Sequence, residues 1–164
     1  AVCGDPEKLV QTMNTLFLNV LRKKKMMTCC VGLVDTCDST LRLINAGHPW
    51  PLQVRGGCAE YLKSVGMPLG SAKRWKAGEV TWRLDPGDVV FLYSDGLVEA
   101  RAGNDVLGFS RLSESLPQLL RSEPRETIAA FWSWFDHMAP ESPPADDVSV
   151  LVIQRQPASG EVRA

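Results

Sequence analysis

No apolar run in this 164-residue chain approaches the roughly 18–20 residues needed to span a bilayer; the long ones, such as 89–93 and 148–153, are of strand length. Positive charge is not in excess, since 18 Lys and Arg stand against 19 Asp and Glu for a formal net charge of −1. Without a basic field, binding to nucleic acid or to an anionic membrane by charge alone is not expected. The start carries no charged segment leading into an apolar one, so no signal peptide is visible. The five cysteines are an odd number with no C-x-x-C pair, which argues against a disulfide framework or a zinc site. Buried, reduced thiols and a cytoplasmic setting are expected.

What is present suffices for one soluble domain, because 45% of the residues are hydrophobic and 23% charged. We expect a single domain over 1–155 and a flexible polar tail over 156–164. Apolar residues at Leu9, Met13, Leu16 and Val20, and at Val10, Phe17 and Leu21, predict a helix over 6–23. Asp5 suits its cap and Pro6 its first position, and the basic run 22–25 would close it. Three pairs of strand-like runs follow: 27–35 with 40–46, 52–55 with 59–63, and 80–84 with 88–93. Polar or glycine-containing turns separate each pair, which predicts three consecutive hairpins and antiparallel sheets. Helices are expected over 109–120 and 124–138, the second stopped by the Pro-rich 140–144, before a last strand over 148–153.

The runs 89–93 and 148–153 are apolar on both faces, as central strands are. Ser94-Asp95-Gly96 follows the first at once, and Asp146-Asp147 immediately precedes the second. If these strands pair antiparallel, Asp95 and Asp146 meet at one edge of a sheet. Converging carboxylates repel unless a proton or a cation relieves them, and oxygen ligands of this kind suit Mg²⁺ or Mn²⁺. Such an ion activates water, most naturally toward a phosphoryl group. The alternative is that both aspartates are turn residues at strand ends.

Several motifs occur in order: Asn45-Ala46-Gly47-His48-Pro49, Gly66-Met67-Pro68-Leu69-Gly70, Leu84-Asp85-Pro86-Gly87-Asp88, Tyr93-Ser94-Asp95-Gly96-Leu97-Val98-Glu99-Ala100, Gly108-Phe109, and Asp146-Asp147 with the apolar run after it. Together they resemble the SpoIIE-type branch of the PP2C-like (PPM) metal-dependent serine/threonine phosphatases of bacteria, over nearly the whole chain. The resemblance implies an α+β fold, a four-layer α-β-β-α sandwich of two antiparallel sheets, with two divalent cations, Mn²⁺ or Mg²⁺, at one end. It implies hydrolysis of phosphoserine or phosphothreonine on a regulatory partner of the anti-sigma-factor antagonist type, and fusion to a sensor or receiver domain in a longer protein. By position, Asp95 and Asp146 match metal-ligand aspartates acting through metal-activated water. Asp147 matches a neighbouring or alternative ligand, with Gly96 and His48 in support.

The N-terminus departs from that pattern. The family has a strand ending in Gly-Asp, then a glycine-rich segment and a long helix, whereas here Gly4-Asp5 runs directly into Pro6 and the helix. Asp5 therefore has two readings, bridging metal ligand or helix cap. The departure also keeps open a phosphatase-like adaptor that binds a sigma-factor regulator without catalysis. His48 is expected to stabilise its loop, Gly66 and Gly70 to supply backbone turns, and Glu99 to hold the loop after Asp95. His137, Trp132 and Trp134 are expected at the surface or in packing roles.

Overall fold

The structure, a computed structural model, describes residues 4–21, 25–140 and 146–156. The basic run 22–25 lies outside the described residues apart from Lys25, and the expected tail apart from Gln156. The chain forms two compact units, residues 1–50 with 63–84 and residues 51–62 with 85–164.

In the first unit, helix α1 (Pro6–Leu21) begins where expected. The Asp5 carboxylate accepts the Glu7 amide at 3.1 Å and the Lys8 amide at 3.4 Å, the geometry of an N-cap. The stripe of Val10 and Phe17 packs inward, joined by Met13 from the other. Val10 packs with Met13 and Phe17 against Ile44, Ala46 and Leu69, while Leu16 and Val20 remain 55% and 73% exposed. Strands β1 (Cys29–Asp35) and β2 (Thr40–Ala46) form the first expected hairpin. Strand β5 (Gly78–Arg83) pairs with the other edge of β2, giving the order β1-β2-β5.

The second unit holds β3 (Leu52–Arg55) and β4 (Cys58–Tyr61), the second hairpin, turned by Gly56 and Gly57 at φ +56° and +80°. Strand β6 (Val89–Tyr93) pairs with β3 and with β9 (Val150–Gln154), giving the order β4-β3-β6-β9. The third hairpin is corrected, because β5 and β6 flank the 85–87 turn yet belong to different sheets. The turn is bound elsewhere. The Gly87 amide donates to the Arg155 carbonyl at 2.8 Å and the Arg155 amide to the Asp88 carbonyl at 3.0 Å. Asp88, only 2% exposed, accepts the Asp85 amide at 2.8 Å and the Arg55 guanidinium at 3.0 Å. A buried carboxylate needs such partners, and here they fix the entry to β6.

Helices α3 (Gly108–Leu119) and α4 (Pro124–Met138) cover the β4-β3-β6-β9 sheet. Phe91 meets Phe131 with ring centroids 5.0 Å apart, inside a core that includes Leu52, Tyr93, Leu97, Leu112 and Leu116. Trp132 and Trp134 pack at its margin, and His137 is exposed. Two small elements were not expected from the pattern, a five-residue helix α2 (Asp95–Glu99) and the ribbon β7 (Arg101–Ala102) with β8 (Asp105–Val106). Strand β6 is central, as its sequence implied, but β9 is an edge strand whose Leu151 is 57% exposed. The four described cysteines are free, as expected, but the expected full burial is not found: Cys29 and Cys30 are half-buried, and Cys37 and Cys58 are exposed. The result is an α+β fold with antiparallel sheets, α1 packing on the β1-β2-β5 sheet and α3 and α4 on the β4-β3-β6-β9 sheet. No helix among the described residues is long and apolar enough to cross a membrane.

Candidate metal centre

The acidic turns sit where β6 ends and β9 begins. Antiparallel register pairs Tyr93 with Val150, so the chain leaving β6 and the chain entering β9 emerge side by side. This is the antiparallel pairing on which the sequence reading is conditional, and it puts the first polar residues of the two apolar runs at the shared end.

Ser94 joins the two segments. Its amide donates to the Ser149 carbonyl at 3.0 Å, its hydroxyl donates to the Asp147 carbonyl at 2.9 Å, and that hydroxyl accepts the Ser149 amide at 2.9 Å. Ser94 is also the N-cap residue of α2, yet it makes no side-chain cap bond, its hydroxyl being committed to the β9 side. Gly96 lets the backbones touch: a Cβ there would stand 2.6 Å from the Asp147 carbonyl oxygen and 3.1 Å from that of Asp146. No residue with a side chain fits without displacing that turn.

The carboxylates of Asp95, Asp146 and Asp147 belong to residues exposed to solvent on these touching turns. Asp95 accepts its neighbour's amide at Gly96 at 3.1 Å, and Asp146 accepts that of Asp147 at 2.8 Å. Carboxylate oxygens are the donor type that a hard divalent ion keeping several waters takes. Among the described residues, however, no group of three or more His, Cys, Asp or Glu side chains stands together as a ready metal cage.

Asp5 is found as a cap. Besides the Glu7 and Lys8 amides, it faces Arg42 at 3.6 Å, and the Leu9 amide bonds the Asp5 carbonyl at 3.1 Å in the first helical turn. Of its two sequence readings, this geometry is that of the helix cap, because the chain runs from Asp5 straight into α1. His48 stands in a closed loop: the Asn45 side chain accepts the His48 amide at 2.8 Å and donates to its carbonyl at 2.9 Å. The ring lies 3.5 Å from the Thr28 hydroxyl. Gly66 touches this loop so closely that a Cβ would fall 1.8 Å from the Asn45 carbonyl oxygen. Gly70, at φ +79°, gives its amide to the Asn14 side chain at 2.8 Å. Glu99 is exposed at the end of α2.

Sequence reasoning passed over Ser94, Asn45 and Asn14 as functional or organising residues. The signal for Ser94 was available, since it is the first polar residue after an apolar run and precedes the acidic residue of interest.

A protein-family model described as stage II sporulation protein E (SpoIIE) matches residues 1–156. The chain belongs to the SpoIIE family. Protein IcfG of Synechocystis sp. (strain ATCC 27184 / PCC 6803 / Kazusa) is 32% identical over 91 residues, which are 54% of this chain and 14% of that protein. The solved RsbU and RsbW domains of Rv1364c from Mycobacterium tuberculosis superpose with a TM-score of 0.77 at 24% identity, covering 94% of this chain and 43% of that one. The catalytic domain of the serine/threonine protein phosphatase PstP, solved with two manganese ions, gives a TM-score of 0.67 at 16% identity, over 91% of this chain and 71% of that one. This SpoIIE-family chain thus has the fold of PP2C-type phosphatase domains, and it spans less than half the length of IcfG and of the Rv1364c chain.

Proposed function

We propose that this SpoIIE-family chain is a metal-dependent protein-serine/threonine phosphatase domain, with Asp95, Asp146 and Asp147 holding Mn²⁺ or Mg²⁺. The observation that carries the reading is the abutment of the two acidic turns, tied by Ser94 and made possible by Gly96. When bound, such ions supply Lewis acidity and lower the pKa of water. The chain's own part is to present carboxylates from rigid strand ends, so that phosphoryl oxygens and cation meet at fixed positions. The substrate class is phosphoserine or phosphothreonine on a regulatory partner protein of the anti-sigma-factor antagonist type. In this reading residues 1–155 work as one cytoplasmic phosphatase-like domain of a longer protein, fused to a sensor or receiver module.

Phosphate release from a phosphothreonine or phosphoserine peptide tests the reading. Activity is expected with Mn²⁺, is lost on adding EDTA, and returns with excess Mn²⁺. Full activity in Asp95→Ala sinks the assignment. A second reading, a phosphatase-like adaptor, is favoured by one observation: the described residues group fewer than three ligand side chains together. Absence of Mn²⁺ binding together with intact binding to a sigma-factor regulator would select it.

A further inference from the structure

The net charge of −1 hides a division between the two units. The first carries eleven Lys and Arg against five Asp and Glu, and the second seven against fourteen, for formal charges of +6 and −7. Every lysine of the chain falls in the first unit. That unit therefore has by itself the positive field that the sequence as a whole lacks.

Within the first unit the two signs are also kept apart. Arg42 holds three of the five acids, Asp5, Glu7 and Glu79. The other two, Asp35 and Asp38, accept the Cys37 and Thr40 amides in the turn between β1 and β2. Segments 22–34 and 61–78 contain eight of the eleven cations and no acid. Lys25, Lys63, Lys73, Arg74 and Lys76 are exposed, and among the described residues none of them is in an ion pair.

The fold brings these two segments together. The Met27 amide donates to the Leu69 carbonyl at 3.1 Å and the Leu69 amide to the Met27 carbonyl at 2.8 Å. Gly70 lies so near the Lys25 carbonyl oxygen that a Cβ would stand 2.9 Å from it. The loop after Leu62 is closed on itself, since the Met67 amide donates to the Lys76 carbonyl at 2.9 Å and Trp75 Nε1–H to the Met67 carbonyl at 2.6 Å. The same two segments expose aliphatic side chains, Val65 at 84% and Met26 at 66%, with Met67 and Met27 at 38% and 37%. Charge repulsion does not account for these, because exposing apolar surface is unfavourable in its own right. Trp75 is half-buried with its ring N–H spent on Met67, so it is not a free platform for stacking a nucleobase. Aliphatic tips set among lysines match the boundary of an anionic bilayer. There the tips enter the acyl edge while the ammonium groups stay level with the lipid phosphates.

We propose that this face of the first unit docks on an anionic membrane surface. It uses none of the residues of the acidic turns, and it stands independently of the phosphatase reading.

Co-sedimentation of the 164-residue chain with vesicles of phosphatidylcholine containing about one third phosphatidylserine, and with vesicles of phosphatidylcholine alone, tests the proposal. Binding is expected to the anionic vesicles only, and to weaken as salt is raised. Joint replacement Lys73→Gln, Arg74→Gln and Lys76→Gln is expected to weaken it at least about tenfold. Val65→Ser is expected to weaken it about threefold or more without changing the salt dependence. All four positions are exposed or half-buried loop sites, and thermal melting checks that both variants fold; if the triple variant does not, Val65→Ser and the two vesicle compositions decide. Equal binding to both vesicles, binding to neither, or wild-type binding in either folded variant would overturn the proposal. Salt-sensitive retention on poly-glutamate without vesicle binding would overturn it in favour of an acidic protein partner.

Discussion

Ser94 and Asp147 are joined by a 2.9 Å hydrogen bond from the serine hydroxyl to the aspartate carbonyl, and the same hydroxyl accepts the Ser149 amide. One side chain thereby fixes the spacing of two acidic turns whose carboxylates come from segments more than fifty residues apart in sequence. Ser94→Ala removes both bonds while leaving every carboxylate in place. A loss of about 1–3 kcal/mol in urea unfolding is expected, with weaker Mn²⁺ binding. Unchanged stability would show that the turns are held by other contacts.

Gly96→Ala places a methyl group against the Asp147 carbonyl oxygen, 2.6 Å from an undisturbed Cβ position. Overpacking at such a contact costs about 1–3 kcal/mol. Because relief requires the Asp146-Asp147 turn to move away, Mn²⁺ affinity is expected to fall along with stability. Wild-type affinity in a stably folded variant would separate Gly96 from the site.

Much of this arrangement was legible in the sequence. The β6 run and the apolar run after Asp147 read as strands, and the residues at their shared end followed once the two were taken as antiparallel neighbours. The misplaced third hairpin shows where local pattern stops. An Asp-Pro-Gly turn between two strand-like runs suits a hairpin, but which edge each strand joins is decided by long-range partners. Those partners are β2 for β5 and β3 with β9 for β6. Asp5 shows the same limit, since a Gly-Asp pair carries a family motif and a helix cap equally well in sequence, and only the bonds to Glu7 and Lys8 distinguish them. Ser94 and Asn45 act through hydrogen bonds to backbone groups of other segments, which periodicity cannot reveal.

Asp5→Asn is therefore expected to leave Mn²⁺ binding unchanged, because asparagine caps a helix about as well as aspartate. Asp5→Ala is expected to lose about 1 kcal/mol of stability in chemical denaturation. A marked fall in Mn²⁺ affinity in Asp5→Asn would instead assign Asp5 to the metal.

Asp88→Ala removes a carboxylate that is 2% exposed and that receives the Asp85 amide and Arg55. Breaking this ion pair is expected to destabilise the second unit by about 2–4 kcal/mol, read as a lower denaturation midpoint. A change within experimental scatter would show that the 85–88 turn is held by its backbone bonds alone.

Burial, with the neighbouring Cys29 adding to it, pushes the Cys30 thiol up to about 11 from 9.0. The folded state then holds its proton more tightly than the unfolded state. The associated stability is fully present below pH 9 and is lost as pH rises toward 11. Iodoacetamide at pH 8 is expected to label the exposed Cys37 and Cys58 first and Cys30 last, as read by mass spectrometry. Labelling of Cys30 at the rate of Cys37 would contradict its partial burial.

Calorimetric titration of Mn²⁺ into the wild-type chain, Asp95→Asn and Asp146→Asn tests the central claim most directly. Saturable binding by the wild type and at least about tenfold weaker binding by each variant are expected, the loss of one charged ligand being worth about 1.4 kcal/mol or more. Wild-type affinity retained in both variants, or no binding by any of the three, would contradict a metal centre at the abutting turns.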